Sequence, residues 1–201
     1  DAEQSATVAF VSGVGENRDA CLRLIEKYQD RHVTNRVFGL TSSHSQSVLQ
    51  KIKATHADAQ LYGRLADSII YANASLRAEP GILIKNRLGQ SGLWGNAISG
   101  DFPIVLLQIG EPAHLDLVRQ LLQAHAYWRS KGVIVDLVMC NSQGTGSRQL
   151  LHDQIVAMVA AGTEANLNDQ PGGIFVRLAG PLSDEDRILL QSVARVVLDD
   201  R

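Results

Sequence analysis

Positive charge is not in surplus in this sequence: 19 Lys and Arg stand against 21 Asp and Glu, for a formal net charge of -2 and a pI near 6.3. A chain that neutralises a phosphate backbone needs excess cations, so the composition argues against nucleic acid as a partner. Long apolar runs are missing too. Those at residues 104–107 and 133–135 are strand-sized, far short of the roughly 20 residues a membrane span needs, and predict no direct membrane insertion. The opening Asp1-Ala2-Glu3-Gln4 has neither the basic start nor the apolar stretch of a secretory leader. Cysteine is scarce: Cys21 and Cys140 lie far apart, each among apolar-periodic residues that suit a small buried thiol and a reducing compartment. The six histidines show neither an H-E-x-x-H motif nor a cysteine pairing, so no metal site is legible. Internal repeats, low-complexity stretches and blocks of like charge are also absent.

What is present is apolar periodicity. With 45% hydrophobic residues over 201, the chain can bury a sizeable core. Residues 7–11 form a β-branched and aromatic run closed by Gly13-Val14-Gly15, and residues 19–28 place Leu22, Ile25 and Tyr28 at helical spacing; a strand followed by a helix is predicted. Ser43 and Gln46 have the spacing of a capping box, predicting a helix over about 44–53. A second helix over 57–71 carries Leu61, Leu65, Ile69 and Ile70 on one stripe, with Asn73 where a C-cap would fall. The second half alternates between two periods. Strands over 102–109, 133–139 and 174–178 are each followed by a helix, the last running from 184 to 198 behind the cap Ser183. Strands joined by helices of this length run parallel with right-handed crossovers. The expected fold is α/β: a small three-layer, parallel or mostly parallel sheet of three to four strands with flanking helices, preceded by a helical hairpin. Residues 1–42 read as a strand-helix lead-in, 43–100 as the hairpin and a Gly/Trp loop, and 101–201 as three consecutive β-α units, together one compact domain.

Few residues suggest chemistry. Gly13-Val14-Gly15 has the setting of a dinucleotide loop, but Arg18 stands where the third glycine belongs. Gly144, Gly146, Ser147 and Arg148 form a better anion-binding candidate, with backbone amides at a helix N-terminus beside a cation, although the G-K-[ST] ending of a Walker loop is missing. Asp184-Glu185-Asp186 spells D-x-D, a metal-holding pattern of nucleotide-sugar transferases, yet its position behind Pro181 and Ser183 suits the first turn of a helix. His125, Tyr127 and Trp128 read as a cluster at the core's edge, and His152-Asp153 lacks a nucleophile nearby. The densest stretch is residues 87–101. Its four glycines, Trp94 and polar Arg87, Gln90 and Asp101 suit either a close-packed loop or a sugar platform, since Trp stacks on pyranose faces while amide, carboxylate and guanidinium groups hold hydroxyls.

At this loop the sequence resembles a known family. Gln90-Ser91-Gly92-Leu93-Trp94 and Ile98-Ser99-Gly100-Asp101-Phe102-Pro103 are similar to the C-terminal part of bacterial cyclic β-1,2-glucan synthases. Ala57-Asp58-Ala59-Gln60-Leu61-Tyr62-Gly63-Arg64, Ala124-His125-Ala126-Tyr127-Trp128-Arg129, Leu151-His152-Asp153-Gln154, Pro171-Gly172-Gly173-Ile174-Phe175 and Gln191-Ser192-Val193-Ala194-Arg195 extend the similarity over nearly the whole chain. The family pattern has Tyr-Gly where this chain has Asn96-Ala97, and Leu where it has Phe102. The resemblance implies a large inner-membrane parent that polymerises glucose from UDP-glucose on the cytoplasmic side with a divalent metal, and whose phosphorylase-like portion uses inorganic phosphate in setting glucan length. It implies no catalytic residue and no cofactor for this segment itself. The expected partners are β-sandwich and α/α-barrel modules of the same polypeptide, with β-1,2-glucan contacted through Trp94, Arg87, Asp101 and Gln90. The alternative left open by the residues is a stand-alone doubly wound enzyme that binds phosphate or a nucleotide through the 144–148 loop.

Overall fold

The computed structural model describes residue 8, residues 10–141 and residues 148–200, with only the backbone of Arg148. The chain divides into two compact units, residues 1–47 and 48–201.

In the first unit, α1 (Arg18–Tyr28) starts where the Asn17 side chain accepts from the Ala20 amide at 2.9 Å. Helix α2 (Arg31–Ile52) begins in this unit, and its residues 48–52 belong to the second. The helix start predicted at Ser43 does not exist: the Ser43 hydroxyl donates to the Gly39 carbonyl at 3.1 Å, as Thr41 does to Val37 and Ser47 to Ser43. A hydroxyl bonded one turn back is a helix-interior serine, not a cap. The predicted first strand also fails where it can be judged. Val8, Phe10 and Val11 lie in no strand and are exposed, while Thr7 and Ala9 fall outside the described residues. A β-branched run without a neighbouring ladder has nothing to pair its amides, and Gly13-Val14-Gly15 therefore lacks the strand that a dinucleotide loop follows.

The second unit continues with α3 (His56–Tyr71), closed at its start by a capping box: Thr55 N donates to Asp58 Oδ2 at 2.8 Å and Asp58 N to Thr55 Oγ1 at 3.1 Å. Its inward stripe is the buried Tyr62 and Ile69 with the half-buried Leu65, while Leu61 and Ile70 face outward, so the predicted stripe is rotated. The helix ends at Ala72, and Asn73 caps the following 3-10 turn instead of this helix. Two short helices follow, α4 (Pro80–Leu83) and α5 (Ser91–Trp94).

Then come β1 (Ile104–Ile109), α6 (Leu115–Ser130), β2 (Asp136–Asn141), α7 (Arg148–Ala160), β3 (Ile174–Leu178), α8 (Asp184–Val193) and β4 (Val196–Asp199). All four strands are parallel, in the order β3-β2-β1-β4. The α/β sheet with flanking helices is thus the expected one, but its fourth strand is the C-terminal one. The helix predicted to reach residue 198 stops at Val193, because Val196, Val197 and Leu198 pair with Val105, Leu106 and Leu107 and bury more as a strand than as a helix end. Strand β2 likewise begins three residues later than predicted. Side chains alternate between two cores. Val105, Leu107, Ile109, Leu137 and Met139 pack under α3, α6 and α7; Leu106, Val138 and Phe175 pack against α8 and the α5 loop.

Candidate functional site

Three of the four residues expected to contact glucan meet before the amino end of β1. Gln90 Nε2 donates to the Ser99 carbonyl at 3.0 Å and to Asp101 Oδ1 at 3.2 Å, and the Trp94 indole N–H donates to the same carbonyl at 3.3 Å. Arg87 is exposed and forms no hydrogen bond or ion pair to these side chains among the described residues. The loop divides its work by residue. Leu93 and Ile98 are buried against α8 and the sheet, while Trp94 is 64% exposed with its one polar atom already held by Ser99. Its ring is therefore a fixed, solvent-facing apolar plate. Two glycines make the close packing achievable. A Cβ on Gly92 would meet Leu189 Cδ2 at 2.8 Å, and Gly100, at φ +76°, would place one 2.9 Å from both Gln90 and Leu93.

Ala97 adopts φ +59°. An L-residue there is strained by about 1–2 kcal/mol, of which glycine's extra unfolded-state freedom cancels part, so Ala97→Gly should stabilise by about 0.5 kcal/mol. Denaturant titration checks this; a loss of stability would show that the strain is absent.

The loop of Gly144, Gly146 and Ser147 lies outside the described residues, as does the Arg148 side chain; α7 begins at Arg148. The D-x-D carboxylates serve the helix. Asp186 closes a capping box with Ser183, and Asp184 pairs with Arg187 one turn on.

Sequence reasoning missed Asp200. Chain order β3-β2-β1-β4 reverses direction between β1 and β4, and the carboxyl ends of strands flanking such a reversal are where open α/β sheets take up ligands. Here the position is filled by the chain itself: Asp200 Oδ2 accepts from the amides of Gly110 and Glu111, each at 2.9 Å, and lies 3.2 Å from His114 Nδ1. Burial disfavours its charge, but those two amides and His114 outweigh burial and hold the carboxyl below its ordinary value. The signal was only a carboxylate directly after an apolar run at the chain's end.

A second missed cluster lies near the amino end of β2. His125, expected at the core's edge, is fully buried with Trp128. Its Nδ1 is 2.5 Å from Glu164 Oε2 and its Nε2 3.1 Å from the Val135 carbonyl. Asp136 accepts from Gly172 N at 2.7 Å, leaving Oδ2 without a partner among the described residues. Burial raises the Asp136 carboxyl above its usual range against the pull of Gly172 N and His125, and the nearby Asp101 adds to the rise.

Fold and sites together define a small doubly wound α/β domain whose β1–β4 reversal point is occupied by its own carboxylate. Over all 201 residues the chain is 28% identical to the cyclic β-(1,2)-glucan synthase NdvB of Rhizobium meliloti, and it spans 7% of that protein's length. The resemblance drawn from the Trp94 loop is thereby found along the whole chain as a match to one segment of a synthase. No protein-family model matches the chain. Among the described residues, no helix is long and apolar enough to cross a membrane.

Proposed function

We propose that this chain is a non-catalytic framework domain of a cyclic β-1,2-glucan synthase, contacting glucan through Trp94, Gln90 and Asp101. The observation that carries this reading is the end-to-end similarity to a segment of such a synthase. The internally satisfied Asp200 supports it further, since the amides that would hold a nucleotide phosphate after β1 already have an acceptor. In this reading UDP-glucose, its divalent metal and inorganic phosphate act in other modules of the parent at the cytoplasmic face of the membrane. The segment's role is to position sandwich and barrel modules. The rival reading, a phosphate- or nucleotide-binding enzyme, would have to use the 144–148 loop.

Tryptophan fluorescence separates the two. The chain has two tryptophans, and Trp128 is 1% exposed, so accessible-indole emission reports on Trp94. β-1,2-Glucooligosaccharides should shift that emission with weak affinity, and Trp94→Ala should abolish binding, a loss of about 1–3 kcal/mol if the ring stacks. Micromolar UDP-glucose binding measured calorimetrically on the same chain would overturn the framework reading.

A further inference from the structure

One transverse row of the sheet breaks the apolar pattern. On the face covered by α8, the register aligns Val197, Leu106, Val138 and Phe175 across the four strands, all four hydrophobic. Two residues further toward the carboxyl ends, on the same face, the row reads Asp199, Gln108, Cys140 and Arg177. Arg177 turns away, donating to the Asn96 carbonyl at 2.8 and 3.1 Å and to Asp169 Oδ1 at 2.7 Å. The other three line a cavity of about 320 Å³, roofed by Arg187 and Gln191, which lie four residues apart on α8.

The lining dictates what fits. The side-chain amides of Gln108 and Gln191 are half-buried and have no hydrogen-bond partner among the described residues. Each presents two donors and an acceptor to the space between them. Arg187 pairs with Asp184 at the rim, and the Asp199 carboxylate lines the same space, so charges of both signs border it. Leu106, Leu182 and Leu190 supply an apolar floor and wall. Cys140 at the bottom is no nucleophile: burial pushes its thiol up to about 11, with Arg177 opposing only in part. A cavity with two open amides, bordering charges of both signs and an apolar floor matches a neutral ligand that carries several hydroxyls on a carbon ring.

We propose that this cavity at the carboxyl ends of β1, β2 and β4 is a binding site for a neutral polyhydroxylated ring, a single hexosyl unit, held by Gln108 and Gln191. The cavity argument stands without the function proposed above; the choice of glucose as probe rests on it. The site is separate from Trp94, which lies in the loop before the amino end of β1.

Side-chain amide resonances of the 201-residue chain, followed by NMR during titration with D-glucose, β-1,2-glucotriose and inorganic phosphate, test the proposal. The Gln108 and Gln191 amide signals should move saturably with either sugar and stay fixed with phosphate. Gln191→Leu should weaken sugar binding about tenfold while leaving Trp94 emission unchanged, since losing hydrogen bonds at one amide is worth about that much. Gln108→Val, matching the row below, serves as the second variant, each confirmed as folded from its dispersed methyl spectrum. Movement of the glutamine signals with phosphate but not with sugar overturns the proposal, as does saturable sugar binding that moves only the Trp94 loop. Glutamine shifts without any Trp94 response would uphold the cavity while removing Trp94 from glucan contact, so the two readings fail independently.

Discussion

Glu164→Ala is expected to destabilise the second unit by about 3 kcal/mol, the largest effect of any single polar substitution here. His125 is 1% exposed and lies between two acceptors, the Glu164 carboxylate at 2.5 Å and the Val135 carbonyl at 3.1 Å. A carbonyl only accepts, so Nε2 donates to it, while Nδ1 faces the Glu164 carboxyl. Glu164 also lies 3.9 Å from Arg129 Nε, and Arg129 in turn donates to the Gly172 carbonyl at 3.0 Å. Deleting the carboxylate leaves a buried ring nitrogen without its partner and removes the counter-charge near Arg129, which is the costly way to break such a pair. Removing both partners is milder: His125→Leu with Glu164→Leu should recover part of the loss, because no charge is left buried alone. Urea titration of the parent and the two variants measures this as a shift of the midpoint at constant slope. A Glu164→Ala value within about 0.5 kcal/mol of the parent, the range of ordinary surface substitutions, would show that the cluster is not a buried pair.

The parallel sheet was legible because its strands are apolar runs punctuated by turn residues, and β1 and β3 are found within two residues of where periodicity puts them. Ser183 and Asp186 were readable for the same local reason, since a capping box is decided within four residues. Ser43 carried the identical signal and was misread, because spacing does not reveal whether the hydroxyl turns back to the preceding turn, as it does toward Gly39. Strand β4 was hidden by its length of four residues directly behind a helix, where Ala194 rather than glycine or proline marks the break. The sites were legible only in part. Gln90, Trp94 and Asp101 are neighbours in sequence and in space, so composition pointed at them. Asp200 with Gly110, His125 with Glu164, and Gln108 with Gln191 lie 39 to 90 residues apart or meet only through strand register, which no local pattern encodes.

Asp200→Ala is the substitution that tests the closed reversal point, and it is expected to cost about 2–3 kcal/mol at neutral pH. Its side chain is 3% exposed, and its loss would strand two main-chain amides, Gly110 and Glu111, that are bonded to nothing else described here. The pH dependence follows from the lowered carboxyl. A group held below its unfolded value stabilises fully above that unfolded value and loses its contribution as the pH falls through the folded one. The gap between parent and variant should therefore be flat from neutral down to about pH 5 and narrow below about pH 4. The same variant opens an anion position: two free amides beside His114 at the start of a helical segment have the geometry that binds phosphate. Inorganic phosphate should accordingly raise the thermal midpoint of Asp200→Ala and leave that of the parent unchanged. Equal stabilisation of both would mean that the parent already offers an anion site elsewhere, and the phosphate-handling reading of the chain would then displace the framework one.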